Sequence, residues 1–551
     1  MNASTAHPTA VALVDDFVAA PHDERDARFR ALVDALWSDG RAADAALPAV
    51  PALVGALADS GEERQGHLAI LLGLLAESEY PELDGPLATA VGSHLDLYLR
   101  LVRAPGAGRP LVLALVYLLA HFPHRRDDVL GAVSGLGLEP EDLSRLDRGV
   151  SLLDPDDPDL GRVWPSPSAW TLNEDERAFD RSWITALSPQ QIVANWDNDT
   201  RTVYGCAGAR AYWAVCNGDP VNLPAAGVPE DRGGRAAPTT AGLFTPHEDA
   251  LRCPACTGRL DTGGSGGSGD AGGSGGSGGA GGAEGKGSAG VGGDSGADSA
   301  RCDGCGARYP VAAGILDLTA PVVGTGNDGT GTDVGADFLE KLSRVPSMGL
   351  FYEAVARPAF LRVSGSNWGG AVTPDDEDRY IAEHVRPVDG PVLDLGAGAG
   401  RWTAVIAETV GADRLIALDS ALPMLNVLRG RLPGVPSVLA GAAGLPFADA
   451  SLGAVVCWNA LQAFYHDAAA AIAEVARCLR PGGTFTLMTF RRSDDPVYGY
   501  FQSAHRFPQH QGGLQLFDAD ELRKWLADAG LTVVEDSGPG TFVFLNAVRA
   551  A

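Results

Sequence analysis

Residues 391–402, Pro-Val-Leu-Asp-Leu-Gly-Ala-Gly-Ala-Gly-Arg-Trp, restrict what this chain can fold into more than any other stretch. An apolar run of strand character breaks into a glycine-rich turn, and a helix start follows. Gly396, Gly398 and Gly400 permit the tight turn and let a ligand approach the backbone with no Cβ in the way. The helix that follows offers free N–H groups and the positive end of its dipole at the same place. A strand, turn and helix in this order belong to a mostly parallel sheet. A dinucleotide-binding loop is one reading, but it wants a glycine at position 401, where Arg401 stands. The order here is Gly-x-Gly-x-Gly, with Asp394 on the strand.

The residues downstream continue the alternation of strand and helix. Arg414-Leu-Ile-Ala-Leu-Asp419 ends in an acid 19 residues after Gly400. A carboxylate at a strand's C-terminal end can accept bonds from both hydroxyls of a ribose. Capping the next helix is its competing role. Ser420 and Met424 follow at that helix start and can flank an adenine ring. Leu452–Asn459 reads as a fourth strand, and Leu461–Asp467 beyond it carries Tyr465 and His466. Leu479-Arg-Pro-Gly-Gly leads into a fifth strand. Phe517–Leu526 is a capped amphipathic helix, and Leu531–Glu535 and Thr541–Val548 close the pattern.

In this order the elements resemble the class I S-adenosylmethionine-dependent methyltransferases, over about 200 residues and four motifs. The resemblance implies an α/β, Rossmann-like, seven-stranded domain over 335–551. Its N-terminal lid, Phe351–Pro358, is similar to that of the ubiquinone/menaquinone-type enzymes. It implies that Gly396, Gly398 and Gly400 pack on the methionine and ribose parts of the cofactor, and that Asp394 orders the site. Asp419 would take the ribose, Ser420 and Met424 the adenine, and Asn459 would stand near the transferred methyl. Val438–Ser451 resembles the family's GDA-x-x-LPF-x-D-x-S element, with one departure. Gly441 stands where the family has an acid for the adenine amino group, so the backbone of Gly441 and Ala442 is left to cover the ring. His466 is the first candidate for a general base, because it follows the fourth strand at the sheet's C-terminal edge. Tyr465 and His505 come after it. A surface or helix-capping histidine is the competing role for His466.

Upstream, Cys253-Pro-Ala-Cys256 and Cys302-Asp-Gly-Cys305 supply four thiolates, a set suited to a closed tetrahedral zinc site with a structural role. In a reducing compartment this spacing argues for metal over disulfides. Between the pairs, 261–300 is almost entirely Gly, Ser, Ala and Asp and is expected to be a disordered insertion within a zinc ribbon at 249–320. Cys302 to Leu318 resembles the ribbon of the small methyltransferase-activator family, which implies a structural or partner-binding module. Cys206, Cys216, Cys457 and Cys478 lack the spacing and read as core thiols.

Residues 1–155 read as successive helices. Leu68, Leu71, Leu72 and Leu75 form a stripe fitting one buried helical face. A compact bundle and a HEAT-like array are both open. In 156–248, Trp164, Trp170, Trp183, Trp196 and Trp213 suggest a small irregular region, either a ligand pocket or simply a core. The formal net charge of −28, from 42 basic and 70 acidic residues, argues against nucleic acid as a partner. With no secretory pattern in Met1–Ala20, and Leu111–Ala120 half the roughly 20 residues a membrane span needs, a cytoplasmic protein is expected.

The chain is therefore expected to be multidomain: an all-α N-terminal region, a small zinc ribbon and a C-terminal methyltransferase domain. The expected cofactors are S-adenosyl-L-methionine and structural Zn2+. The expected substrate is a small molecule or peptide of specialised metabolism, with the helical region docking substrate or a protein partner. Two competing functions stay open. Gly441 favours a non-catalytic scaffold, and the ribbon's position ahead of the domain favours an RNA methyltransferase. Against the latter, Arg252, Arg259, Arg301 and Arg308 are interspersed with Asp261 and Asp303.

Overall fold

In the computed structural model, the described residues are 10–160, 171–221, 242–262, 299–319, 345–504 and 515–550. A two-stranded hairpin, β1 (Trp37–Ser38) and β2 (Arg41–Ala42), lies in the helical region. All other described strands belong to one sheet. The ribbon provides β3 (Leu260–Asp261), β4 (Ser299–Cys302), β5 (Arg308–Ala312) and β6 (Ile315–Asp317). The C-terminal part provides β7 (Val392–Leu395), β8 (Leu415–Asp419), β9 (Ser437–Leu439), β10 (Leu452–Trp458), β11 (Leu479–Phe490), β12 (Leu531–Ser537) and β13 (Phe542–Arg549).

The strand order is β12-β13-β11-β10-β7-β8-β9-β6-β5-β4-β3. The seven strands expected from the sequence are all present as β7 to β13, but they do not end the sheet. β6 pairs in parallel with β9, Leu316 opposite Val438, so the ribbon extends the sheet to eleven strands. β7 to β11 run parallel to their neighbours, and β13 is antiparallel to β11. Every residue of β7 and β10 is buried, as expected of parallel strands covered on both faces. One face packs on helices Pro374–His384, Arg401–Val410 and Leu422–Arg431, through Ile381, Ile406 and Leu425. The other packs on Ala468–Cys478 and Ala519–Asp528, through Ile472 and Leu526, and is continuous with the ribbon's interior.

The ribbon is fastened at several points. Arg252 N donates to Pro446 O (2.8 Å), Ala448 N to Ala250 O (2.8 Å), and Leu318 N to Leu439 O (3.0 Å). The buried Arg429 side chain donates only to carbonyls, including Ala313 O of the β5–β6 turn at 3.0 Å.

Two expectations about the helical region need correction. Helix Glu62–Glu77 is buried from Gln65 to Glu77 on all sides, not along one stripe, because it is a central helix of the region. The stretch 171–221 is not irregular. It forms Glu174–Ala186 and the 29-residue helix Pro189–Asn217, both opened by capping boxes, at Asn173 and Ser188. Trp196 is buried under the Arg148 guanidinium at 3.4 Å. Trp164 and Trp170 lie outside the described residues. The long helix packs against Glu62–Glu77, Arg109–Leu119 and Pro140–Gly149. Helices of 1–155 that lie far apart in sequence are thereby packed on one helix from outside that range.

That helix also grips Pro496–Ala504, which follows β11. Phe501 is fully buried against Gly208 and meets the Tyr117 ring edge-on, with centroids 5.2 Å apart. Tyr500 donates to the buried Glu77 carboxylate (2.7 Å), which also accepts from Tyr117 (2.6 Å). Val497, Tyr498 and Phe501 thus belong to the core of the N-terminal helices. Among the described residues, no helix is long and apolar enough to cross a membrane.

Candidate functional site

The C-terminal ends of β7, β8, β9 and β10 lie along one edge of the sheet, and the glycine loop, Asp419, Gly441 and Asn459 stand at or just past those ends. Gly396, Gly398 and Gly400 all have positive φ, at 75°, 54° and 89°. A Cβ on Gly396 would stand 2.4 Å from the Ala460 Cβ, and one on Gly400 2.9 Å from Leu428 Cγ. Gly398 faces open space. Two glycines therefore serve close packing, and the third leaves the crevice clear for a ligand.

Asp419, at the end of β8, is partly exposed. Its Oδ2 accepts from Gly398 N and its Oδ1 from Ala421 N, both at 2.8 Å. Burial raises its pKa, while these N–H donors pull it down. It thus joins the glycine loop to the next helix start. Asp394 is buried and accepts from Thr403 Oγ1 at 2.5 Å, which ties helix Arg401–Val410 to β7. Burial pushes its pKa up to about 7; the Thr403 bond opposes this and the Asp419 charge adds to it.

Ser420 is exposed and Met424 is buried on Leu422–Arg431. Gly441 is exposed and Ala442 half-buried after β9, in a segment held at both ends by the ribbon. Asn459 is buried with φ +56°, and its Oδ1 accepts from Gln462 Nε2 at 3.1 Å. His466 is exposed, on the turn Tyr465–Asp467 before helix Ala468–Cys478. The Tyr465 side chain and His505 lie outside the described residues.

Sequence reasoning missed a buried group beside this edge. The segment expected as a lid, Phe351–Pro358, lies in a run of helix Ser347–Phe351, one π turn at Tyr352–Ala356, and helix Arg357–Ser364. Such π turns recur at functional sites. Glu353 pairs with Arg431 at 2.6 Å, and Arg431 also donates to Ala399 O of the glycine loop at 2.9 Å. Arg357 forms a buried ion pair with Glu377, whose other oxygen accepts from Trp458 Nε1 at 3.1 Å. The Arg357 guanidinium lies 4.0 Å over the Trp402 ring. Tyr380, Trp402, Trp458 and Phe544 form an aromatic wall around the pair. Arg357 and Trp402 were visible inside the two motifs, but nothing local announced that they stack.

In the ribbon, the sulfurs of Cys253, Cys256, Cys302 and Cys305 all lie within 4.8 Å of one another. Gly304 N and Cys305 N point at Cys302 Sγ (3.3 and 3.5 Å), and the Tyr309 hydroxyl lies 3.1 Å from Cys253 Sγ. A Cβ on Gly258 would approach Cys302 Sγ to 2.9 Å. Four convergent thiols with amide donors fit a tetrahedral thiolate site. Of the expected disordered insertion, 261–300, residues 263–298 lie outside the described residues, whereas its ends are ordered: Asp261 belongs to β3, and Ser299 and Ala300 to β4, because they pair in the ribbon's sheet. The core-thiol reading suits Cys206, Cys457 and Cys478, which are buried, but not Cys216, which is exposed near the end of its helix.

Comparison with known proteins gives the same domain. Residues 392–483 match the family model described as a methyltransferase domain. An uncharacterized methyltransferase of Mycobacterium tuberculosis is 43% identical over 103 residues, 19% of this chain and 41% of that protein. An uncharacterized chloroplastic methyltransferase of Arabidopsis thaliana is 28% identical over 260 residues, covering 45% and 69%. The malonyl-[acyl-carrier protein] O-methyltransferase of Methylococcus capsulatus is 36% identical over 110 residues, covering 19% and 40%. The chain thus spans about two fifths of the length of the mycobacterial relative. A solved putative methyltransferase from Bacillus halodurans overlays with a TM-score of 0.28 and 18% identity, covering 32% of this chain and 100% of that one.

Proposed function

We propose that this chain is an S-adenosylmethionine-dependent methyltransferase acting on a small molecule or peptide, in specialised metabolism. The observation that carries the reading is the joining of the open glycine turn at 396–400 to the Asp419 carboxylate at the ends of adjacent parallel strands. The methyltransferase-domain match over the same residues and the partial relatives support it.

S-adenosylmethionine, when bound, supplies an electrophilic methyl carbon. The chain's own part is to hold, orient and dry the site. Gly398 leaves the loop open, and the Asp419 carboxylate, with one amide donor on each oxygen, has lone pairs left with which it would accept ribose hydroxyls. The aromatic wall and the latched lid exclude water, so much of the rate comes from positioning. An acceptor hydroxyl or acidic carbon needs a base, and His466, with Tyr465 beside it, is the candidate. The segment from 491 to 504 leaves β11 at the same edge of the sheet, and its helix Pro496–Ala504 is seated among the N-terminal helices. The helical region is therefore proposed to shape the acceptor side.

The four cysteines are proposed to hold structural zinc. With metal bound, the ribbon keeps β6 on β9 and so steadies the loop with Gly441 and Ala442. Gly441, exposed and lacking the family's carboxylate, is the one observation favouring a non-catalytic scaffold. Thermal unfolding with and without S-adenosylhomocysteine tests the choice. Stabilisation that grows with ligand concentration is expected. No change at millimolar ligand would favour the scaffold.

A further inference from the structure

The run from Val345 to Gly369 is attached to the N-terminal helices at both ends. At its start, Leu172 and Val345 are buried together, with Phe179, Met348 and Phe351 packed against them. Glu176, 5% exposed, joins the two sides. Its Oε2 accepts from Asn173 N (3.1 Å) and closes the capping box of Glu174–Ala186. Its Oε1 accepts from Ser347 N (2.8 Å), at the first residue of Ser347–Phe351. One carboxylate thus caps a helix on each side. At the other end, Val363 and Trp368 belong to the core of the N-terminal helices, and Val221 N donates to Trp368 O (2.8 Å).

Between these anchors the run lies along Leu422–Arg431, the helix that follows Asp419. A Cβ on Gly349 would stand 2.7 Å from Pro423 O, near that helix's start. At its far end Glu353 pairs with Arg431, which also holds Ala399 O of the glycine loop. The run is therefore a strap from one side of the proposed cofactor crevice to the other. To lift, it must release an anchor. Val363 and Trp368 sit in the main core of the helical region, whereas the near anchor has two buried apolar residues among those described and the Glu176 carboxylate. Opening therefore begins at Glu176, where least apolar surface holds the strap.

We infer that Glu176 is a positioning residue that holds this strap shut, so that the helical region sets how fast the nucleoside enters and leaves the crevice. The inference rests on the methyltransferase reading and adds regulation to it. Glu176 acts on the strap and not on the nucleoside. Loosening it raises the open fraction with and without ligand, so entry and exit quicken together and affinity hardly moves.

Stopped-flow tryptophan fluorescence on full-length protein measures both rates for S-adenosylhomocysteine. Glu176→Gln keeps one acceptor oxygen and so can cap only one of the two helices. Both rates should rise about tenfold, while Kd moves less than about threefold. Amide exchange at 347–356 in the ligand-free protein should quicken with them. Glu176→Asp keeps the charge and the capping box but falls a methylene short of Ser347, and it gives the same reading if the glutamine variant does not fold. Leu57→Ala, a buried change in helix Ala46–Asp59, is the control for lost stability. It should lower the unfolding temperature and leave both rates within about twofold. An exit rate that rises alone, so that affinity falls, overturns the gate. So do rates that move no further in the Glu176 variants than in Leu57→Ala. Either failure leaves the methyltransferase reading standing. Wild type that binds no S-adenosylhomocysteine, by fluorescence or by calorimetry, would instead remove that reading, and the gate with it.

Discussion

Gly208→Ala should reverse the usual sign of a helix substitution. Replacing an interior helical glycine by alanine normally stabilises by up to about 1 kcal/mol. Gly208 lies well inside Pro189–Asn217, so propensity alone favours the change. Here the new Cβ would stand 2.2 Å from Phe501 Cε1 and 2.5 Å from two other ring atoms. The Phe501 ring is fully buried and packs edge-on against Tyr117, so it has little room to move. Overpacking of this kind costs about 1–3 kcal/mol, and contact with three ring atoms places this case near the top of the range. The net effect should be a loss of roughly 2 kcal/mol. Phe501→Ala alone should cost about 3–5 kcal/mol. In that background the obstacle is gone, so Gly208→Ala should stabilise by about 0.5–1 kcal/mol. Calorimetric unfolding of the four proteins measures the cycle. If Gly208→Ala stabilises the chain in both backgrounds, the helical region and Pro496–Ala504 do not share a core, and the proposed shaping of the acceptor side fails.

Other outcomes follow from the same structure. Asp394 has a raised native pKa, about 7, so the native state keeps a proton that the unfolded chain has released. Its contribution to stability is fully present below the unfolded pKa, near 4, and is lost as pH rises through about 7. Asp394→Asn should flatten the pH dependence of unfolding free energy between those limits by up to one proton; an unchanged slope would show that the carboxyl titrates normally. Stripping the proposed zinc with a chelator, checked by metal analysis, should speed amide exchange at 437–448 along with the ribbon, because Ala250, Arg252 and Leu318 hold that segment. Exchange confined to the ribbon would show that the sheet edge stands alone. Glu377→Gln leaves Arg357 without its charged partner and should destabilise by about 3–5 kcal/mol in urea unfolding. A loss under 1 kcal/mol would mean that the pair is solvated.

Local signals carried much of the architecture. Pro391–Trp402 announces strand, turn and helix because glycine and apolar residues alternate where the backbone must turn. Asp419 was readable from its place at a strand end, and the four cysteines from their spacing. The long helix Pro189–Asn217 was not readable as a helix packed among the N-terminal helices. It is buried by the N-terminal helices and by Pro496–Ala504, so no single apolar stripe marks it. The eleven-stranded sheet was equally hidden. Ile315–Asp317 is three residues long, and its pairing with Ser437–Leu439 is a long-range choice that no local pattern encodes. The Arg357–Glu377–Trp458 group joins a lid, a helix and a strand end, so it exists only once the chain has folded.

Isothermal titration of S-adenosylhomocysteine into wild type and Asp419→Ala, both checked for intact unfolding transitions, tests most directly whether this crevice holds the nucleoside. One site per chain is expected in the wild type, with at least tenfold weaker binding once the charged acceptor is removed. Equal affinity in the two proteins, or no heat in the wild type, would contradict it.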